Sequence, residues 1–218
     1  MSTSFKHELY AIISGKSEVR HGKVIQAIAD YLRKSETTSS EIKGSKFFKA
    51  QEKQRLATYI SENRLWVDEL DPNQYVSEGA EQKVYLHNQK SVYKLNDSIF
   101  YNSWLDYFHN LMLHNAFFED TAYQLLGFYK KEQCIYAVVE QPFVESTSPT
   151  DLNQVKSFLN NNGFSNTRNN DFYNPEIGII LEDLHDENVL TKDGLLYFID
   201  TVFYLTDEFW KDLDPNGI

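Results

Sequence analysis

The sequence predicts an α+β fold, and three observations carry that expectation. Up to about residue 66 the apolar residues recur at helix spacing. After the turn signal Asp71-Pro72-Asn73 the period shortens to that of strands. From there strands and helices follow one another in an order that closes with a β-hairpin flanked by acids.

The first segment reads as helical. Between Gly22 and Arg33, apolar residues fall at 24, 25, 28, 31 and 32, and a second run carries Phe47, Phe48, Leu56, Tyr59 and Ile60 on one face. The polar stretch 35–40 separates them as a loop. A boundary at 70/71 divides the chain into an N-terminal helical extension, 1–70, and a main domain, 71–218. In that domain Val84-Tyr85-Leu86 and 91–95 are short β-type runs, with Asn88-Gln89-Lys90 as the hairpin turn. A helix is expected around Trp104, Leu105, Phe108, Leu111 and Met112. Two strands, 123–128 and 135–139, follow across the turn 130–133. Ser148-Pro149-Thr150-Asp151 reads as a helix start with Ser148 as its cap, and Asn160-Asn161-Asn162-Gly163 as its end. The polar residues 165–174 read as a loop, and 177–181 as a strand. Val189-Leu190 and 195–199 form a hairpin across Asp193-Gly194, a strong turn signal between apolar runs.

Composition narrows the function classes. The 218 residues are 41% hydrophobic and 24% charged, which suits a soluble globular chain able to bury its own core. The single cysteine, Cys134, excludes a disulfide framework or a cysteine-rich zinc site. The first residues are polar, with no apolar signal core, and no stretch has the roughly 18 apolar residues of a membrane helix, so a cytoplasmic protein with no membrane partner is expected. The net charge of −11 is uneven. Residues 1–66 carry 12 Lys/Arg against 7 Asp/Glu, and residues 67–218 carry 9 against 25. The acidic part should repel nucleic acid unless metal ions intervene. His109 and His114 lie five apart in one helix, off the three-or-four spacing of paired ligands, and read as structural.

The chemistry is concentrated between Leu181 and Asp200. Phosphoryl transfer from ATP needs a carboxylate to orient the attacking hydroxyl, an amide oxygen on Mg²⁺, and a second carboxylate holding Mg²⁺ against the phosphates. Asp183 and Asn188 have the D-x-x-x-x-N spacing that places the first two. Asp200 follows the apolar run Leu195-Leu196-Tyr197-Phe198-Ile199, which the Asp193-Gly194 turn returns to the same end. Asp186 competes with Asp183 as the base, and His185 is expected to orient the loop by hydrogen bonding.

Asp183-Leu184-His185-x-x-Asn188-Val189-Leu190 resembles the D-L-H-x-x-N catalytic loop of aminoglycoside-phosphotransferase-type and other atypical kinases, and Ile199-Asp200 resembles their metal-binding Asp. More narrowly, the chain resembles the compact kinase-like domains of polyvalent proteins from mobile genetic elements, over roughly residues 75–205. The resemblance implies a minimal protein-kinase-like fold with a small antiparallel N-lobe sheet and a reduced C-lobe. It implies ATP and Mg²⁺ as cofactors, Asp183 as catalytic base, and Asn188 and Asp200 as metal ligands. It also implies Gly79 in the phosphate-covering loop 77–85, Lys94 on the phosphates, and Asp106 as the acidic partner of that lysine, with Glu119 as another candidate. Backbone groups near Glu140 and Phe143 would meet the adenine. The chain departs from the pattern in three places. Leu181-Glu182 stands where a His-Arg is usual, Thr201-Val202 follows Asp200, and the loop has one glycine. Three functions follow as expectations: a phosphotransferase whose acceptor could be a protein, a small molecule or a nucleotide, a non-catalytic nucleotide-binding or regulatory module with a protein partner, or a metal-dependent hydrolase built on Asp183, His185, Asp186 and Asp200.

Overall fold

A computed structural model describes residues 3–36, 45–68, 70–78, 82–211 and 213. Three helices come first: α1 (Thr3–Ile13), α2 (Gly22–Glu36) and α3 (Ser45–Glu62). On α2, Ile25, Ile28 and Leu32 are fully buried, as the spacing predicts, while Val24 points outward. None of the helices is long and apolar enough to cross a membrane among the described residues.

The next layer is a five-stranded antiparallel sheet of β1 (Tyr75–Glu78), β2 (Gln82–Asn88), β3 (Ser91–Asn96), β4 (Gln124–Lys131) and β5 (Cys134–Pro142), in the order β1-β2-β3-β5-β4. The β2–β3 and β4–β5 hairpins fall where the turn residues put them, and β1 is an added edge strand. Helix α4 (Trp104–Phe117) crosses over between β3 and β4 and buries Trp104 and Phe108 against Phe128. Gly127 has φ +156, and a Cβ there would sit 2.4 Å from the Leu65 carbonyl oxygen. That close approach lets residues 65–67 pair with β4, Phe128 N–H donating to Leu65 O at 2.8 Å and Val67 N–H to Phe128 O at 2.9 Å.

Beyond the sheet, the segment after Pro142 runs to Thr191, whose carbonyl accepts from Thr147 N–H at 3.0 Å. Because Ser148 is bridged to Thr191, it cannot cap the next helix. Helix α5 (Leu152–Asn161) starts later, with Asp151 accepting from Asn153 N–H at 2.9 Å. The segment expected to be a loop holds two strands, β6 (Ser165–Arg168) and β7 (Asp171–Asn174). They join β8 (Ile179–Glu182) and β11 (Val202–Leu205) in a sheet of order β11-β8-β7-β6. β9 (Val189–Lys192) and β10 (Leu195–Phe198) form their own hairpin, with Asp193 at φ 51 and Gly194 at φ 79, the pair of positive φ values a two-residue turn needs. The short helix α6 (Asp207–Trp210) follows β11. One hydrophobic cluster runs from Leu9, Ile28 and Leu32 through Trp104 and Phe128 to Leu181, Phe203 and Phe209.

Candidate active site

Strand β8 delivers Asp183 and the β9–β10 hairpin returns Asp200 to it. Asp183 has φ 65, a left-handed conformation in which its carbonyl faces the turn that follows. His185 N–H donates to that carbonyl at 3.1 Å, and Asn188 N–H donates to His185 O at 3.0 Å, which closes the loop. Asp171 on β7 accepts the Asp183 N–H at 3.3 Å. His185 acts within the loop as expected. Its Nδ1 accepts from Glu187 N–H at 3.2 Å and its Nε2 lies 3.4 Å from Asp183 Oδ1.

Asn188 is the hub. Its Nδ2 donates to Asp183 O at 2.8 Å and to Asp183 Oδ2 at 2.9 Å, while its backbone carbonyl accepts from Ile199 N–H at 2.9 Å and Asp200 N–H at 3.3 Å. Lys94 comes down from β3 and donates to Ile199 O at 2.8 Å, with Nζ 3.7 Å from Asp200 Oδ2. Asp183, Asn188, Asp200 and Lys94, spread over more than a hundred residues of sequence, therefore form one connected group.

Lys94 is 4% exposed, and its ammonium lies 5.5 Å from the Tyr123 ring. Burial pushes its pKa down, and the adjacent Asp200 carboxylate opposes that shift. Tyr123 donates through its hydroxyl to the same Ile199 carbonyl at 2.9 Å, and burial followed by the Asp200 charge holds its phenol protonated well above the usual range. Behind Asp200, His114 is buried and pushed down to about 3 by burial, so it is neutral. Its Nε2 lies 3.0 Å from Thr121 O, a pure acceptor, so Nε2 carries the proton and Nδ1 accepts from Thr201 Oγ1 at 2.7 Å. The structural reading of this histidine is the one the contacts give. Glu182, just ahead of Asp183, is raised by burial and by the Asp171 and Asp183 charges.

The other candidate residues are placed as follows. Asp106 sits in the first turn of α4, where its backbone N–H donates to the capping Ser103 Oγ at 2.9 Å, and its carboxyl is raised by burial. The carboxylate that faces Lys94 is Asp200, not Asp106, because α4 presents its first turn to Lys49 and the Ser103 cap. Glu119 pairs with Arg20 at 3.3 Å. Glu140 lies inside β5, in register with Tyr93 on one side and Gln124 on the other. Phe143 is half-exposed, and its N–H is taken by Lys90 O at 2.8 Å. Gly79 lies outside the described residues. Gln82, the first described residue after it, was not singled out by sequence reasoning, and its amide Nε2 donates to Asp200 Oδ2. Its place inside the expected phosphate loop was the available signal. A cavity of about 850 Å³ lies against α1 and α2, lined by Arg20, Lys23, Asp30 and Glu119, and includes none of Lys94, Asp183, Asn188 and Asp200.

The donor set fits a hard divalent cation. With Nδ2 turned to Asp183, Asn188 Oδ1 is left to face outward, and Asp200 adds a carboxylate, the oxygen chemistry Mg²⁺ takes when phosphates and water complete its shell. Among the described residues no group of three or more His, Cys, Asp or Glu is placed to hold a metal, so the constellation expected for a metal-dependent hydrolase is not assembled there.

Residues 49–207 match the family model described as Serine/Threonine/Tyrosine Kinase found in polyvalent proteins. No curated protein and no solved structure matches the chain. The α+β architecture, with its five-stranded antiparallel sheet ahead of the site, is that of a small kinase-like fold.

Proposed function

Since the chain belongs to the family of serine/threonine/tyrosine kinases found in polyvalent proteins, we propose that it is an ATP-dependent phosphotransferase whose acceptor is a protein hydroxyl. Asp183 accepts or orients the hydroxyl proton. Asn188 and Asp200 hold Mg²⁺, and Lys94 supplies positive charge beside the phosphates. When bound, Mg²⁺ neutralises charge on the phosphate oxygens as the γ-phosphoryl group moves. The observation that carries the reading is the unbroken run of contacts from Asp183 through Asn188 and Asp200 to Lys94. Positioning is most of what this reaction asks of a protein. Each member of the group is fixed by a neighbour. Asp183 is 55% exposed at its side chain and can be reached by an acceptor, whereas Asp200 is 32% exposed and set deeper, where a metal would shield it.

One observation favours a second reading, a kinase-like nucleotide-binding module without turnover. Lys94 is engaged by the Ile199 carbonyl and Asp200 by Gln82, so both groups must exchange partners before they meet a metal–nucleotide. Calorimetric titration with Mg·ATP, with phosphate release followed on the same samples, separates the two. For the phosphotransferase, wild type binds and turns over with a protein substrate mixture, and Asp200→Ala loses binding by at least about ten-fold. Asp183→Asn should bind normally and lose turnover by roughly 10²-fold or more. Binding by wild type with no turnover on any acceptor selects the module. No binding at all removes both readings.

A further inference from the structure

We infer that Gln82 is a positioning residue that holds Asp200 in the metal-free site and competes with Mg²⁺ for its carboxylate. The inference rests on the assignment of Asp200 as a metal ligand. Asp200 is a partly buried carboxylate and needs donors when no cation is present. Lys94 does not meet that need directly. Its short contact is to the Ile199 carbonyl at 2.8 Å, and it stands 3.7 Å from Asp200 Oδ2. Gln82 fills the gap, donating through Nε2 to the same Oδ2. An N–H donor and a divalent cation compete for one oxygen, because both approach its lone pairs and the amide hydrogens carry partial positive charge. The Gln82 contact therefore weakens that oxygen as a metal ligand, and a bound metal weakens the contact in turn.

The position of Gln82 gives the competition a consequence. It opens β2, in register with Asn96 at the end of β3, directly after residues 79–81. Its side chain spans from the entry of that strand to the residue after Ile199. Weakening of the contact by a metal therefore loosens the N-terminal end of β2 from Asp200.

The test uses the full chain and two readouts. The first is a double-mutant cycle on unfolding of the metal-free protein with Gln82→Met, Asp200→Ala and the pair. Methionine keeps the length of the side chain and removes the donor. The second is ATP affinity by calorimetry as a function of free Mg²⁺. The expected results are non-additive destabilisation in the cycle and, for Gln82→Met, a Mg²⁺ half-saturation about ten-fold lower than wild type, on the scale of one charge-assisted hydrogen bond. Affinity for ATP in excess chelator should not change, which a merely structural disturbance of β2 would not spare. Gln82→Leu, which also loses the donor and adds no charge, should likewise load at lower Mg²⁺ and serves if the Met variant folds poorly. Additivity in the metal-free cycle, or a Mg²⁺ half-saturation equal to or above wild type in both variants, overturns the inference. Wild type that binds no Mg·ATP overturns the functional reading instead, and the metal-free cycle then decides the contact by itself, coupling supporting it and additivity sinking it.

Discussion

The Ile199 carbonyl receives two donors, Lys94 Nζ at 2.8 Å and Tyr123 Oη at 2.9 Å, and Asp200 beside it has Gln82 as well as the lysine. Neither acceptor depends on Lys94 alone. The lysine itself carries a desolvation penalty, since burial lowers its pKa despite Asp200. Lys94→Met should therefore cost less than the roughly 3–5 kcal/mol that removing one partner of a fully buried pair costs, because Asp200 is partly exposed and both acceptors keep other donors. Nucleotide binding should fall at least ten-fold in the same variant. The pH dependence has a definite sign. A lysine whose folded pKa lies below its unfolded value costs stability most fully at neutral pH. That cost fades as the pH rises through the folded value towards 10.5. The stability of Lys94→Met relative to wild type should thus be most favourable near pH 7 and decline as the pH approaches 10.5. Thermal melts at a series of pH values, paired with Mg·ATP titrations, check both statements. A loss of several kcal/mol at neutral pH would make Lys94 a structural residue.

Among the elements, α4 shows what sequence patterns convey and what they do not. Its apolar residues announce a helix around Trp104, but its first turn is held not only by the Ser103 cap but by Glu52, on α3, whose carboxylate accepts from Trp104 N–H at 2.7 Å and Leu105 N–H at 3.0 Å. Glu52 is 2% exposed, yet in the sequence it stands among Gln51, Lys53 and Gln54 like any solvent-facing helix residue. A negative charge on the first amides of a helix is doubly favourable, through the hydrogen bonds and through the helix dipole. Glu52→Ala leaves two buried donors to lose their acceptor and should cost about 2–4 kcal/mol. Glu52→Gln, which keeps one acceptor oxygen in place, should recover about half, and urea unfolding of the three proteins measures this. Equal stability of Ala and wild type would show that water replaces the carboxylate. Other elements sort by the same logic. The Asp193-Gly194 hairpin and the buried stripe of α2 were legible because turn chemistry and periodicity are local. β6 was not, because Ser165–Arg168 is exposed along its whole length and is a strand only through backbone pairing with β7. In the site, the spacing of Asp183, Asn188 and Asp200 was legible because it spans one hairpin. The contacts of Gln82, Asp106 and Lys94 depend on how three distant elements pack.

At the scale of the whole molecule, the sequence divides at the Asp71-Pro72-Asn73 turn, while the packing runs across it. Lys6 on α1 donates to the carbonyls of Glu208 at 2.6 Å and Lys211 at 2.8 Å, at the far end of the chain. Asn115 on α4 donates to Arg20 O at 2.8 Å, and on its other side pairs with Tyr123, which reaches Ile199 next to Asp200. Leu32 of α2 is fully buried in the same hydrophobic cluster as Phe128 and Phe209. Two outcomes are physically distinct. If the N-terminal helices fold as a unit of their own, a cavity at Leu32 weakens only that unit. If they share one cooperative core with the sheet, it weakens every element equally. The shared cluster argues for the second. Leu32→Ala should then cost about 2–5 kcal/mol, as deletion of a buried leucine does. Hydrogen exchange reads where that loss is felt. Slowly exchanging amides of β3 and β5 should lose protection by the same factor as those of α2, roughly 30-fold or more, because all of them exchange through the same global opening. Loss confined to α1–α3, with the β5 amides unchanged, would establish residues 1–70 as a separate folding unit.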